Sequence, residues 1–188
     1  QCVSSDRYYV SPSSGFSSFL RYTSDGCTSW NINTSMSSSY VIGATGASLI
    51  DVVPLQNTFY ASVAQYGFRK STDGGITWNF INNGSYSKMF AFDTTNFYLM
   101  AYNQSDYVVS KYQNDSITSL CYIPNLYAND FHFTDHFTGY AVGDSGAYDV
   151  IIKTLDGANT WSTIYSDSTF NGNDIFFSSS NIGYAVGN

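Results

Sequence analysis

Ser71-Thr72-Asp73-Gly74-Gly75-Ile76-Thr77-Trp78 reads hydroxyl, any residue, Asp, any, small, any, hydroxyl, Trp. The pattern returns at Thr154-Leu155-Asp156-Gly157-Ala158-Asn159-Thr160-Trp161 and at Thr23-Ser24-Asp25-Gly26-Cys27-Thr28-Ser29-Trp30. A degenerate copy surrounds Asp115, with Leu120 in the Trp place. Asp25, Asp73, Asp115 and Asp156 stand 48, 42 and 41 residues apart, and each precedes its Trp or Leu by five. A period of about 40 to 45 residues is that of a four-stranded propeller blade.

Each residue type has a mechanical reason to be there. The motif spans the hairpin from a third strand to a fourth. Its Asp accepts hydrogen bonds from turn N–H groups, as in an Asx-turn. The small residue, Gly75 in the first copy, permits a tight or left-handed backbone. The Trp packs between neighbouring sheets and buries a large apolar area. Ser71, Asp73, Gly75, Thr77, Trp78, Thr154, Asp156, Trp161, Thr23, Asp25, Trp30 and Asp115 are therefore read as structural corner residues, with no catalytic role.

A second landmark lies upstream. Tyr9, Tyr60, Leu99 and Tyr140 precede their Asp by 16, 13, 16 and 16 residues, and Cys2, Val53, Phe92 and Phe133 lie seven before each. Phe177 and Tyr184 begin another unit. The closest copies are Asn129-Asp130-Phe131-His132-Phe133 through Gly139-Tyr140-Ala141-Val142-Gly143, and Asn173-Asp174-Ile175-Phe176-Phe177 through Gly183-Tyr184-Ala185-Val186-Gly187. One repeat divides into strands near 130–134, 139–142, 150–154 and 160–164, separated by Gly, Asn, Asp and Ser turns. No window shows helical periodicity. The expected fold is an all-β propeller, one domain or a segment of one. Blades are expected at about 1–36, 47–84, 87–125 and 128–168, with the start of the next at 172–188. A closed four-bladed ring and a piece of a longer propeller both fit. Residues 183–188 would be surplus in a small ring, which favours the longer propeller.

Composition agrees with all-β and narrows the partners. Aromatic residues make up 18% of the 188, charged residues 11%, and the net charge is −7 with seven Lys plus Arg. Tyr, Phe, Thr and Val suit pleated, half-buried surfaces. Scattered cations in so acidic a chain exclude the counterion-displacing patch that nucleic acid requires, and disfavour an acidic membrane surface. No stretch approaches the roughly 20 apolar residues that span a bilayer, so no membrane insertion is expected. The composition resembles that of extracellular proteins, and a secreted or surface location is expected. Cys2, Cys27 and Cys121 are odd in number, so at least one lacks an intrachain partner. A Cys2–Cys27 disulfide is compatible with an oxidising compartment.

At these residues the chain resembles the BNR/Asp-box propellers, over nearly its whole length. The Gly-Tyr-Ala-Val-Gly segments and the Lys-Thr-x-Asp-Gly unit look like those of photosystem II assembly factor-like proteins and secreted bacterial BNR repeat proteins. The chain departs from the pattern at Cys27 and Ala158, where the family favours Gly, and at Gln113, Ile117 and Leu120, where a distorted or longer turn is expected. The resemblance brings sialidases and other glycoside hydrolases into consideration. Sialidases resemble one another in a substrate-gripping arginine cluster. Here only Arg7, Arg21 and Arg69 exist, and the last two hold equivalent repeat positions. Scarce arginine also argues against the basic patch of the photosystem II relatives.

Other chemistry finds little support. Glycoside hydrolysis needs two carboxylates roughly 5 to 10 Å apart, and no pair among Asp51, Asp93, Asp130, Asp135, Asp144, Asp149, Asp167 and Asp174 stands out. His132 and His136 flank Asp135, but about 13 Å separates such positions along a strand, and His132 aligns with Phe176. No metal or cofactor is expected. The leading expectation is a noncatalytic module that binds a protein or glycan, or acts as a structural scaffold. The alternative is a carbohydrate-active enzyme whose site lies partly outside this segment.

Overall fold

The structure is a computed structural model that describes residues 2–4, 7–10, 21–23, 28–29, 31–32, 49–55, 58–63, 67–73, 77–103, 106–123 and 126–188. Side chains are described at 28–29, 58–63, 67–73, 77–102, 107–118, 121–123 and 126–188. Among these residues there are strands and no helix, hence none long and apolar enough to cross a membrane.

Four antiparallel sheets each hold four strands in chain order. The first is β1 (Cys2–Ser4), β2 (Arg7–Val10), β3 (Arg21–Thr23) and β4 (Asn31–Ile32); the second is β5 (Leu49–Leu55), β6 (Thr58–Val63), β7 (Gly67–Ser71) and β8 (Asn79–Asn82). The third is β9 (Lys88–Ala91), β10 (Asn96–Asn103), β11 (Asp106–Gln113) and β12 (Ser116–Ile123). The fourth is β13 (Tyr127–Phe133), β14 (Gly139–Asp144), β15 (Asp149–Thr154) and β16 (Ser162–Asp167); a hairpin of β17 (Gly172–Ser179) and β18 (Ile182–Gly187) follows. The chain divides into two compact units, residues 1–89 and 90–188.

The second strand of a blade is buried on both faces, which is why it reads as a continuous apolar run rather than an alternation. Phe59 to Val63 on β6, Phe97 to Met100 on β10 and Gly139 to Gly143 on β14 are all buried. In the first unit Phe68 stacks on Tyr60 at 5.8 Å and meets the edge of Tyr86 at 5.2 Å. In the second unit, successive blades meet through stacked rings. Tyr98 lies 4.0 Å from Phe133, and Tyr140 lies 4.1 Å from Phe177. The landmark in the third blade is thus Tyr98, where counting along the sequence points to Leu99. The turn before it, residues 92–95, is one residue shorter than its counterpart, residues 134–138. Cross-strand pairing agrees, because Tyr60, Tyr98 and Tyr140 face Lys70, Lys111 and Lys153.

Two glycines explain the Gly-Tyr-Ala-Val-Gly repeat. A Cβ on Gly139 or Gly183 would lie 2.5 or 2.6 Å from the ring of Phe133 or Phe177. A Cβ on Gly143 or Gly187 would lie 2.1 or 2.2 Å from the carbonyl oxygen of Tyr127 or Asn171. The second clash follows from a β-bulge: pairing slips between Ala128 and Asp130, and again between Gly172 and Asp174.

Candidate functional site

Two corners carrying the Asp motif are described, and they are built alike. Ser71 Oγ donates to Asp73 Oδ1 at 2.7 Å, the Thr77 N–H donates to Asp73 Oδ1 at 2.9 Å, and Thr77 Oγ1 donates to Oδ2 at 2.6 Å. Thr154 Oγ1 donates to Asp156 Oδ1 at 2.8 Å, the Thr160 N–H donates to Oδ1 at 2.9 Å, and Thr160 Oγ1 donates to Oδ2 at 2.7 Å. The hydroxyls of Ser71 and Thr154 sit on buried residues, and the Asp supplies each with an acceptor. Thr154 Oγ1 also accepts the Ala158 N–H at 3.0 Å. Ala158 adopts φ 68°, the left-handed conformation that explains why a small residue belongs there. The corner keeps Thr160 and Trp161 out of the fourth strand, so β16 begins at Ser162 rather than at residue 160. Trp78 is buried. Trp161 meets Phe133 edge-on at 6.1 Å, and its Nε1 is buried with no hydrogen-bond partner among the described residues.

The third corner differs. Asn114 and Asp115 both have positive φ, 50° and 60°, between the paired residues Gln113 and Ser116. This is a two-residue hairpin turn: the corner departs from the pattern, as expected of a distorted or longer turn, but by being shorter, too short for the Asp-to-Thr bridge of the other corners. Asp115 accepts the phenol hydroxyl of Tyr112. Asp25, Cys27, Trp30 and Gly75 lie outside the described residues, as do the side chains of Cys2, Thr23 and Leu120. Cys121 is a free thiol, and burial followed by the charge of Asp156 pushes its pKa up.

The histidines are absorbed by aromatic packing. His132 lies 4.6 Å from Phe90 and 5.2 Å from Phe176, and His136 lies 4.2 Å from Phe92. Burial lowers the His132 pKa, and Asp174 partly opposes it. Among the described residues, no group of three or more His, Cys or acidic side chains is placed to hold a metal ion. The guanidinium of Arg69 lies 4.9 Å over the ring of Phe80.

The acidic residues are all Asp, with no Glu in the chain. Asp is short enough to reach its own turn: Asp73, Asp93, Asp135, Asp144, Asp156 and Asp167 each accept a backbone N–H two to four residues on, whereas Asp130 and Asp149 accept those of Ile175 and Gly172 on β17. Burial acts to raise Asp93 and Asp135, but the bonds from Thr95 and Asn96, and from Phe137 and Thr138, outweigh it and hold both below the usual range. The side-chain and backbone bonds from Thr160 bring Asp156 down to about 2, and Thr169 lowers Asp167.

The Asp156 corner also forms one wall of a cleft of about 560 Å³ in the second unit. Cys121, Tyr122 and Ile123 of β12 face Val150 and Ile152 of β15, with Thr163 and Ser166 of β16 at the rim and Trp161 and Asn159 at the corner. None of the lining residues carries a formal charge. Nearby, Tyr102, Tyr107 and Tyr127 gather, with centroids 5.3 Å (Tyr102–Tyr107), 6.0 Å (Tyr102–Tyr127) and 6.5 Å (Tyr107–Tyr127) apart. The repeat pattern singles out none of these tyrosines. Their signal is that they are aromatic at strand ends, outside the buried second-strand run.

No family model and no curated protein matches the chain. Among solved structures, it is similar to YCF48 from Cyanidioschyzon merolae, with 16% identity and a TM-score of 0.60 over 90% of this chain and 61% of that one. It is similar to the GH74 enzyme of Niastella koreensis, with 14% identity and a TM-score of 0.63 over 92% of this chain and 32% of that one. It is also similar to GH43B from a Bacteroides ovatus xyloglucan locus, with 10% identity and a TM-score of 0.51 over 86% of this chain and 39% of that one. The chain thus spans less than two thirds of the length of each. Identities this low speak for architecture alone, and with its consecutive four-stranded antiparallel blades the chain is an all-β protein of the β-propeller fold.

Proposed function

We propose that the chain is a noncatalytic binding or scaffold module, secreted or exposed at a cell surface, that engages a protein or glycan partner. One observation carries this reading: among the described residues, Asp73, Asp93, Asp135, Asp144, Asp156 and Asp167 serve as turn acceptors. A glycosidase acid needs its pKa raised toward neutrality, whereas Asp93, Asp135, Asp156 and Asp167 are all displaced the other way. The aromatic and hydroxyl-rich surface supplies contact area with polar tips, as binding surfaces do.

Incubation with aryl glycosides and polysaccharides from pH 4 to 8 tests it. No turnover is expected at any pH. Hydrolysis that disappears when one carboxylate is replaced by its amide would replace this reading with the hydrolase.

A further inference from the structure

We propose that the cleft between β12 and the β15–β16 pair, continued by Tyr102, Tyr107 and Tyr127, is a binding groove for a neutral glycan. The inference rests on the binding-module reading and names its ligand class. The groove lies between the outer strand of one blade and the β15–β16 pair of the next, and reaches Leu126, which directly precedes β13.

Size and chemistry both bear on the occupant. The volume of about 560 Å³ falls within the roughly 300–1,000 Å³ of small-ligand sites. Val150, Ile152 and the indole of Trp161 give an apolar wall. Asn159, Thr163 and Ser166 are exposed and offer amide and hydroxyl groups along the rim. An anionic ligand finds no cation in the lining, and the nearby Asp156 carboxylate repels it. A cationic ligand finds no carboxylate in the lining, and both oxygens of Asp156 outside it are already engaged by Thr154 and Thr160. A sugar satisfies both surfaces, because its C–H face packs on aromatic rings while its hydroxyls exchange hydrogen bonds with hydroxyl and amide side chains.

The tyrosines extend this surface. Tyr107 is the cross-strand partner of Ile123 and packs in one cluster with Ile123 and Leu126, both of which line the cleft. Tyr107 in turn meets the Tyr127 ring at 6.5 Å. Tyr102 and Tyr127 are 46% and 56% exposed, so part of each side chain is accessible to a ligand. Burial, and then Tyr127, push the Tyr107 phenol upward, which keeps it a neutral donor.

The test uses the full chain on an array of neutral oligosaccharides of two to six residues, with sialylated and sulfated oligosaccharides as charged controls. Thr163→Tyr fills the groove from an exposed position, Tyr127→Ala removes an exposed ring, and Tyr184→Ala on β18 serves as a remote control. Circular dichroism and thermal melting verify that each variant folds. Retention of neutral members is expected, weakened at least tenfold by Thr163→Tyr and by Tyr127→Ala and unchanged by Tyr184→Ala. A blank array, equal retention of charged members, or indifference to both groove variants overturns the proposal. A peptide whose binding is blocked by Thr163→Tyr, with the array blank, overturns the glycan assignment and leaves the binding module standing. Cleavage of the bound sugars overturns the noncatalytic reading instead.

Discussion

The carboxylate of Asp130 accepts the backbone N–H of Ile175 at 3.1 Å, joining one blade to the next. Beside it, Asn129 Nδ2 donates to the carbonyl of Gly172 at 2.8 Å. Both side chains leave β13 at its bulge, and the same Asn-Asp pair recurs as Asn173-Asp174. Ile175 is buried, so its N–H has no access to water as a substitute acceptor. Asp130→Ala is expected to destabilise the protein by about 1–3 kcal/mol, the loss for an orphaned buried donor. Asp130→Asn, which retains an acceptor oxygen, should lose less. Urea unfolding and hydrogen exchange at the Ile175 amide read the difference. Unchanged exchange in Asp130→Ala would show that the bond does not hold β17.

Gly143 and Gly139 should respond unequally to alanine. At Gly143 the added Cβ meets main chain, the Tyr127 oxygen and the Ala128 Cα, and the bulged strand must move. At Gly139 it meets the Phe133 ring, a side chain that, although stacked on Tyr98, can shift about its own bonds without moving main chain. Gly143→Ala is therefore expected to destabilise by about 1–3 kcal/mol or more, as overpacking does, and Gly139→Ala by less. Melting temperatures of the two variants decide the order. The reverse ranking would contradict the bulge as the reason for the second glycine.

Acid should undo the Asp156 corner. Its pKa is about 2 in the fold against an ordinary 3.8, so the folded state binds the proton more weakly than the unfolded chain. The resulting stabilisation is complete above about pH 4 and is lost as pH falls toward 2. Asp156→Asn should be less stable at pH 7 and should show a shallower decline between pH 4 and 2. Denaturation midpoints across that window measure it. A parallel decline in variant and wild type would refute the role of this carboxylate.

His132 gives the opposite range of pH. Its folded pKa lies below the ordinary 6.5 because Phe90, Phe176 and Phe177 surround it, while Asp174 pulls the other way. A depressed histidine stabilises the fold in its neutral form, so stability is lost as pH falls below about 6.5. His132→Phe copies the residue of the next blade, Phe176. Within about 1 kcal/mol of wild type at pH 7.5, a typical limit for a volume-conserving change, it should become the more stable protein at pH 5. Equal pH dependence in thermal melts would count against burial as the cause.

Much of this structure was legible in the chain, and the misses have physical causes. The corners at Asp73 and Asp156 were readable because the bonds join residues two and four apart. Ser71, Asp73 and Thr77 carry their geometry in their spacing. The third corner was legible only as a departure, because Asp115 keeps the period while Gln113, Ile117 and Leu120 do not, and that does not fix the length of its turn. Two left-handed residues, Asn114 and Asp115, make a shorter turn than the Asp implied. Tyr98 was missed for Leu99 because one residue is absent from the preceding turn, and residue counting cannot register a shortened loop. The cleft was invisible, since its walls come from β12, β15 and β16 and no local spacing relates Tyr107 to Trp161.

By itself the sequence determined the repeating unit: strand, strand, strand, a corner closed by an aspartate, and a strand, about every 40 to 45 residues. Such corners form from contacts within a single turn, so neighbouring residues suffice to specify them. Only the tertiary structure decided which faces meet: Tyr98 on Phe133, Asp130 on the Ile175 amide, and an uncharged groove between the outer strand of one blade and the β15–β16 pair of the next. Those arrangements depend on side chains roughly one repeat apart in sequence, whose mutual position exists only after the sheets have packed.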